Sequence, residues 1–134
     1  MTSKRKPIAR LVQLPAPPPA ALGATGNAAL SSGCLAVAAG VEGLSGKFDI
    51  QVVPPAITDM LGDAALADYI ATDNPAIVGF SLYMWNVERS LHIAREVRRR
   101  SPATLIVIGG PEVHTDNTFL FRQHGFDIKQ YKII

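Results

Sequence analysis

The chain has 134 residues, enough for one domain with a core and too few for two. With 48% hydrophobic and 18% charged residues it reads as globular rather than disordered, and a net charge of +2 does not by itself argue for nucleic acid. A single cysteine, Cys34, rules out an intramolecular disulfide or a cysteine-only cluster, and no apolar run reaches the roughly 18 residues that a membrane span needs.

Residues 1–7 form a basic tail containing Lys4, Arg5 and Lys6. A Pro-rich stretch follows strand one instead of the apolar h-region of a signal peptide, so a cytoplasmic protein is the default expectation. From residue 8 to residue 134 the pattern predicts a single α/β domain. Ile8 to Leu14 reads as strand one. Pro15 to Pro19 cannot continue a strand or a helix, because proline has no N–H and a fixed φ. Asn27 is placed to cap a helix running to about Gly43, with Leu30, Cys34, Val37, Val41 and Leu44 on one face at spacings of three and four. On that face Cys34 is expected to be a buried small hydrophobe. Phe48 to Val53 reads as strand two, with Phe48, Ile50 and Val52 alternating, stopped by Pro54 and Pro55. A helix is expected from Asp63 to Ala71, with Leu66 and Ile70 inward.

Ala76 to Phe80 is a short apolar run of the kind buried on both faces of a sheet. Asn86 is expected to cap a helix over Val87 to Arg100, striped by Val87, Leu91, Ala94 and Val97. Glu88 in its first turn and three arginines in its last suit the helix dipole. Thr104 to Ile108 is strand four, ended by Gly109-Gly110-Pro111. A short helix from Asp116 or Asn117 to about His124 and one further strand within Phe126 to Ile134 complete the order. Alternating strands and helices with near-minimal connections predict an open, doubly wound parallel sheet, flavodoxin-like, with strand order 2-1-3-4-5. Its final strand and helix need not be complete.

In such a sheet ligands bind beyond the carboxyl ends of the strands, near the switch point between strands one and three. Two loops there are chemically unusual. Ser81-Leu82-Tyr83-Met84-Trp85-Asn86 gathers large apolar groups where solvent favours small polar ones, which suggests a flat apolar ligand, the alternative being packing against helices or a partner domain. Gly109-Gly110-Pro111-Glu112 removes side chains where something approaches the backbone, or where a turn needs positive φ. Ser81 can offer a hydroxyl and Glu112 a carboxylate. His92 reads as a surface residue, His124 lies near a helix end, and His114 sits at the ligand edge without a second metal ligand. Ala24-Thr25-Gly26-Asn27 is similar to a phosphate-cradling loop, but lies about ten residues past strand one. Strands one and three end on Pro15 and Ser81, not on the acidic residues a phosphoacceptor receiver needs. No nucleophile–base–orienter set is present.

At these two loops the sequence resembles the N-terminal cobalamin (vitamin B12)-binding domain of radical S-adenosylmethionine proteins. The resemblance runs through IVGFSLYMWNVERSLHIAREVRRRSPATLIVIGGPEV, Ile77 to Val113, and through the opening LVQLPAPPPAALGATGN, Leu11 to Asn27. It covers roughly residues 8 to 127. It implies cobalamin as cofactor, held over Ser81, Leu82, Tyr83, Met84, Trp85, Gly109, Gly110, Pro111 and Glu112. Many such domains carry Asp-x-His-x-x-Gly after strand one, whose His ligates cobalt. This sequence has no such motif, so the implied cobalamin has no protein His ligand and the chain contributes no metal ligand of its own. The family continues into a catalytic domain with Cys-x-x-x-Cys-x-x-Cys, which holds an iron–sulfur cluster and S-adenosylmethionine. Those cysteines are absent here, so the resemblance implies a binding module, not catalytic alone, with a radical SAM domain or chain as partner. Two rivals stand beside it, a flavin-binding electron carrier and a cofactor-free scaffold.

Overall fold

The computed structural model describes residues 5–16, 28–114, 116–118, 120 and 131–133. Five parallel strands form one sheet: β1 (Ile8–Val12), β2 (Asp49–Val52), β3 (Ile77–Ser81), β4 (Leu105–Gly109) and β5 (Tyr131–Ile133). Their order is β2-β1-β3-β4-β5, as expected from the sequence. Register pairs Arg10 with Gln51 on one side and Val78 on the other, and Ser81 with Gly109 across β3 and β4. The helices are α1 (Leu30–Val41), α2 (Pro55–Met60), α3 (Asp63–Ala71) and α4 (Val87–Arg100).

The strands alternate in burial. Ile8, Arg10 and Val12 of β1, Val78 and Phe80 of β3, and Ile106 and Ile108 of β4 are buried, while Ala9, Leu11, Ile77 and Gly79 between them are half-buried. The expectation that strand three is buried on both faces is therefore corrected: one face is sealed and the other only partly covered. Helices α3 and α4 seal the first face. Leu66, Ala67 and Ile70 of α3 join Leu91, Ile93, Ala94 and Val97 of α4 in the core cluster, all with no exposure. The rule of right-handed crossovers puts α1 opposite, because the chain moves one way from β1 to β2 and the other way from β2 to β3 and β4.

That opposite face holds the largest departure from the sequence reading. Ser32 is the one buried residue of α1. Leu30, Val37 and Val41 are 70%, 70% and 81% exposed, Leu44 beyond the helix is exposed too, and Cys34 is an exposed thiol rather than a buried hydrophobe. The helix is apolar nearly all round, so periodicity could not say which side the sheet would choose. Small residues such as Ser32 face inward and let it approach closely, leaving the larger ones outside.

Other corrections are local. Pro54 and Pro55 end β2, but the following segment is not merely a loop: Pro55 opens α2, since proline at a first helical position loses no hydrogen bond and arrives with helical φ. Strands one and two end at Val12 and Val52, two and one residues earlier than expected, while β3 and β4 are each shifted one residue later. Helices α3 and α4 have the expected bounds. The Asn27 cap, the Ala24–Asn27 loop and most of the helix to His124 lie outside the described residues.

Arg10 stands apart in the core. It is 6% exposed, yet no carboxylate faces its guanidinium in a hydrogen bond among the described residues. Instead Nη1 donates to the carbonyls of Tyr69, Ile70 and Thr72 at 3.1, 2.7 and 3.0 Å. Nε and Nη2 donate to Gln51 Oε1 at 3.1 and 2.8 Å. The charge thus meets the negative end of α3, satisfying carbonyls the helix cannot satisfy itself.

Candidate functional site

The loop after β3 is pinned at two points. Leu82 turns straight into the core with no exposure. Its N–H donates to the Gly109 carbonyl at 2.7 Å, and its own carbonyl accepts from the Glu112 N–H at 3.3 Å. Asn86 is 2% exposed, and its carboxamide is used on both ends. Oδ1 accepts from the Tyr83 N–H at 2.8 Å, while Nδ2 donates to the carbonyls of Leu14 at 2.9 Å and Ser81 at 3.2 Å. Asn86 does precede α4, but its side chain makes no bond to the helix N-terminus. The expected cap is instead a clip joining the ends of β1 and β3 to the loop, because those buried carbonyls and the Tyr83 N–H need partners more than the solvated first turn does.

Between the two pins residues 83–85 stand at the carboxyl edge. Tyr83 and Trp85 stack with ring centroids 4.7 Å apart and planes 11° from parallel. Trp85 is 47% exposed and Met84 78%. Apolar area is thus presented to the outside on a loop whose flanks are fixed.

Gly109 closes β4, and Gly110 follows with φ +112°. A Cβ on Gly110 would come within 2.5 Å of the Leu82 carbonyl oxygen and 2.8 Å of its nitrogen. Both reasons foreseen for a glycine here hold, and the group that approaches the backbone is the neighbouring loop. Pro111 is exposed and Glu112 half-buried. Asn117 Nδ2 donates to the Glu112 carbonyl at 2.8 Å, and Asn117 Oδ1 accepts from the Leu120 N–H at 3.1 Å, so Asn117 ties the turn to Leu120 in the core. His114 is exposed in the same loop, and His92 is exposed on α4.

Two residues the sequence reading passed over complete the edge. Gln13, just past β1, accepts from Ser31 at the start of α1, through the N–H at 3.1 Å and the hydroxyl at 2.5 Å. Ser31 Oγ also lies 2.9 Å from Ser81 Oγ. Gln13 lines a small cleft of about 130 Å³ together with Leu14, Ala29, Pro55, Thr58 and Trp85. The available signal was positional: a polar residue where strand one leaves the sheet at the switch point. A wider hollow of about 470 Å³ lies by Arg5, Lys6 and Asp49, toward the amino end of β2 and away from these loops.

Ser81, Tyr83, Met84 and Trp85 thus share one edge with the turn 109–112, and the buried Leu82 serves as the hinge between the loops. Among the described residues no three His, Cys, Asp or Glu side chains gather where a metal ion could be held. No helix there is long and apolar enough to cross a membrane.

A family model described as the B12 binding domain matches residues 20–131. Over 53 residues the chain is 36% identical to the 2-(S-pantetheinyl)-carbapenam-3-carboxylate methyltransferase of Streptantibioticus cattleyicolor. Over 52 residues it is 35% identical to the cobalamin-dependent radical SAM methyltransferase TokK of Streptomyces tokunonensis. These matches take in 40% and 39% of the chain, and 8% of the length of each relative.

Proposed function

The chain belongs to the B12-binding domain family, and from that premise we propose that it holds cobalamin at the carboxyl edge of the sheet as the cofactor module of a radical SAM methyl-transfer protein. The observation that carries the reading is the Tyr83–Trp85 stack with Met84 beside it, an exposed apolar surface on a pinned loop at the switch point. A flat macrocycle with an apolar face and an amide-bearing rim suits such a surface, with polar groups set at its border. Gln13, Ser81 and the turn 109–112 provide that border. Leu82 contributes by holding the loop, since its side chain is in the core and its backbone is engaged with Gly109 and Glu112. Bound cobalamin supplies methyl-transfer chemistry at its cobalt. This chain's residues bind it, orient it and shield one side from water.

The chain carries no Asp-x-His-x-x-Gly, and its described histidines His92 and His114 are both exposed. On this reading the residues that would hold the group include no His ligand to cobalt, as the missing motif implies. Catalysis resides in a radical SAM domain or chain that brings the cluster cysteines missing here. One of the relatives is itself a radical SAM methyltransferase, on a chain far longer than the matched segment. Residues 8–134 form the module and residues 1–7 its basic tail.

Titration with hydroxocobalamin and methylcobalamin tests the binding reading. A shift in corrin absorbance and co-elution at micromolar protein are expected; neither appearing overturns it. The absence of a His ligand has its own check. The cobalt(II) form of cobinamide, which has no nucleotide base of its own, should when bound to the protein give an electron paramagnetic resonance spectrum without nitrogen superhyperfine splitting, unchanged by His114→Ala. Splitting lost in that variant would show a His ligand instead.

A further inference from the structure

We propose that Gln13 reads the ligand: its amide Nε2 donates a hydrogen bond to an acceptor oxygen on the rim of the molecule held at the carboxyl edge. The proposal rests on the cobalamin reading above and adds a residue to it.

The orientation of the Gln13 amide is set by its partners. The backbone N–H of Ser31 can only donate, so the atom it meets at 3.1 Å is the amide oxygen. The Ser31 hydroxyl lies 2.5 Å from the same oxygen, which has no hydrogen to give, so Ser31 donates again. Its one hydrogen is then committed. At the 2.9 Å contact between the two serine oxygens, Ser81 must be the donor. The chain therefore runs one way, from Ser81 to Ser31 to Gln13 Oε1. Ser81 has no hydrogen left for a ligand, in contrast to the donor role expected of it from the sequence. The free donors have moved to the far end. Gln13 Nε2 carries two N–H groups with no partner among the described residues, and Gln13 lines the cleft beside Trp85.

A half-buried amide locked by two bonds on its oxygen loses little freedom on meeting a ligand, so its nitrogen is preorganised. The group it fits is an uncharged or anionic oxygen acceptor. Cobalamin offers two sources: the carbonyls of the side-chain amides around the corrin rim, and the phosphate of the nucleotide tail.

Gln13→Glu separates this role from a structural one. It keeps the acceptor for Ser31, in a position at the start of α1 where negative charge is favoured, and replaces the donor with a second acceptor. A purely structural Gln13 predicts unchanged folding and unchanged binding. The proposal predicts an unchanged melting temperature with binding weakened about tenfold, as for loss of one hydrogen bond that leaves a polar group unpaired. Gln13→Met, similar in length and without a donor, carries the same expectation for binding should the first variant misfold, with a lower melting temperature because Ser31 then loses its acceptor. The probes are hydroxocobalamin and dicyanocobinamide, which lacks the nucleotide phosphate. Weakening for both identifies a rim amide as the acceptor, and weakening for cobalamin alone identifies the phosphate. Wild-type-like binding of both probes by a folded variant overturns the proposal. Wild-type protein that binds neither corrinoid overturns the cobalamin reading itself, and this proposal with it.

Discussion

The two faces of the sheet are both flanked by helices bearing large apolar residues and end up in different states. Under α3 and α4, seven helical residues from Leu66 to Val97 lose all exposure against Val12, Val78, Phe80, Ile106 and Ile108. Under α1, Ser32 alone is buried, while Leu30, Val37 and Val41 face out. Hydrophobicity alone therefore says little about where stability resides. The difference is amphipathicity: α4 has arginines and glutamates to fix its outer side, whereas α1 has no charged residue between Leu30 and Val41. Burial stabilises at roughly 25 cal/mol per Å² of apolar surface, so the α3/α4 face should carry most of the fold's stability.

The sharpest way to break this comparison is Leu91→Ala. Removing a side chain with no exposure from the sealed face should cost about 2–5 kcal/mol in urea unfolding. A loss below about 2 kcal/mol, the low end for such a truncation, would mean that the face is not the stabilising one. Asn86→Ala comes next, at about 1–3 kcal/mol, because it leaves buried groups of Leu14, Ser81 and Tyr83 without partners. The same variant should redden Trp85 fluorescence as the stack loosens, and an unchanged spectrum would deny the clip its role in setting the edge. On the open face, Val37→Ser should change stability in urea unfolding by less than about 0.5 kcal/mol. A loss of stability like that of Leu91→Ala would erase the contrast between faces.

The smallest effect concerns the outer side of α4. A hydrogen bond from Arg100, reinforced by the charge of Arg99, holds the Glu96 carboxyl below its ordinary value of 4.5, and the same bond with a further one to Asp68 raises the Arg100 guanidinium. A depressed carboxyl stabilises the fold above its unfolded pKa and ceases to as pH falls through its folded pKa. The difference in unfolding midpoint between wild type and Glu96→Gln should therefore be present at about pH 7 and shrink below about pH 4.5. A difference that grows on acidification would contradict the assignment.

How much of this was legible in the sequence depended on whether a residue's partner is local. The bounds of α3 and α4 follow from stripes and neighbours within the helix, and the sheet order follows from alternation plus crossover handedness. The outward turn of Cys34 and Val37 was hidden because α1 lacks a polar side to define its inner one. Asn86 read as a cap because its sequence neighbours invite that, but its decisive partner is Leu14, 72 residues away. Gln13 was missed for the same reason, with Ser31 and Ser81 distant along the chain. Arg10 was passed over too, because its acceptors at the end of α3 lie about 60 residues further along the chain. The loops 81–86 and 109–112 stood out in sequence because their composition is unusual for a strand end, a signal that needs no partner.

The place of β1 in the middle of the sheet has a consequence in time. Its two neighbours, β2 and β3, begin at Asp49 and Ile77, so during synthesis the strand emerges first and waits for both. At roughly 5–20 residues per second, β3 trails β1 by on the order of 4–14 s. Until β2 is made β1 has two unpaired edges, and until β3 is made it keeps one; for most of that interval it also carries Arg10, whose acceptors at Tyr69, Ile70 and Thr72 have not yet been made. A positive charge in a nascent central strand discourages premature pairing with other chains, and it finds its place in the core only when α3 arrives.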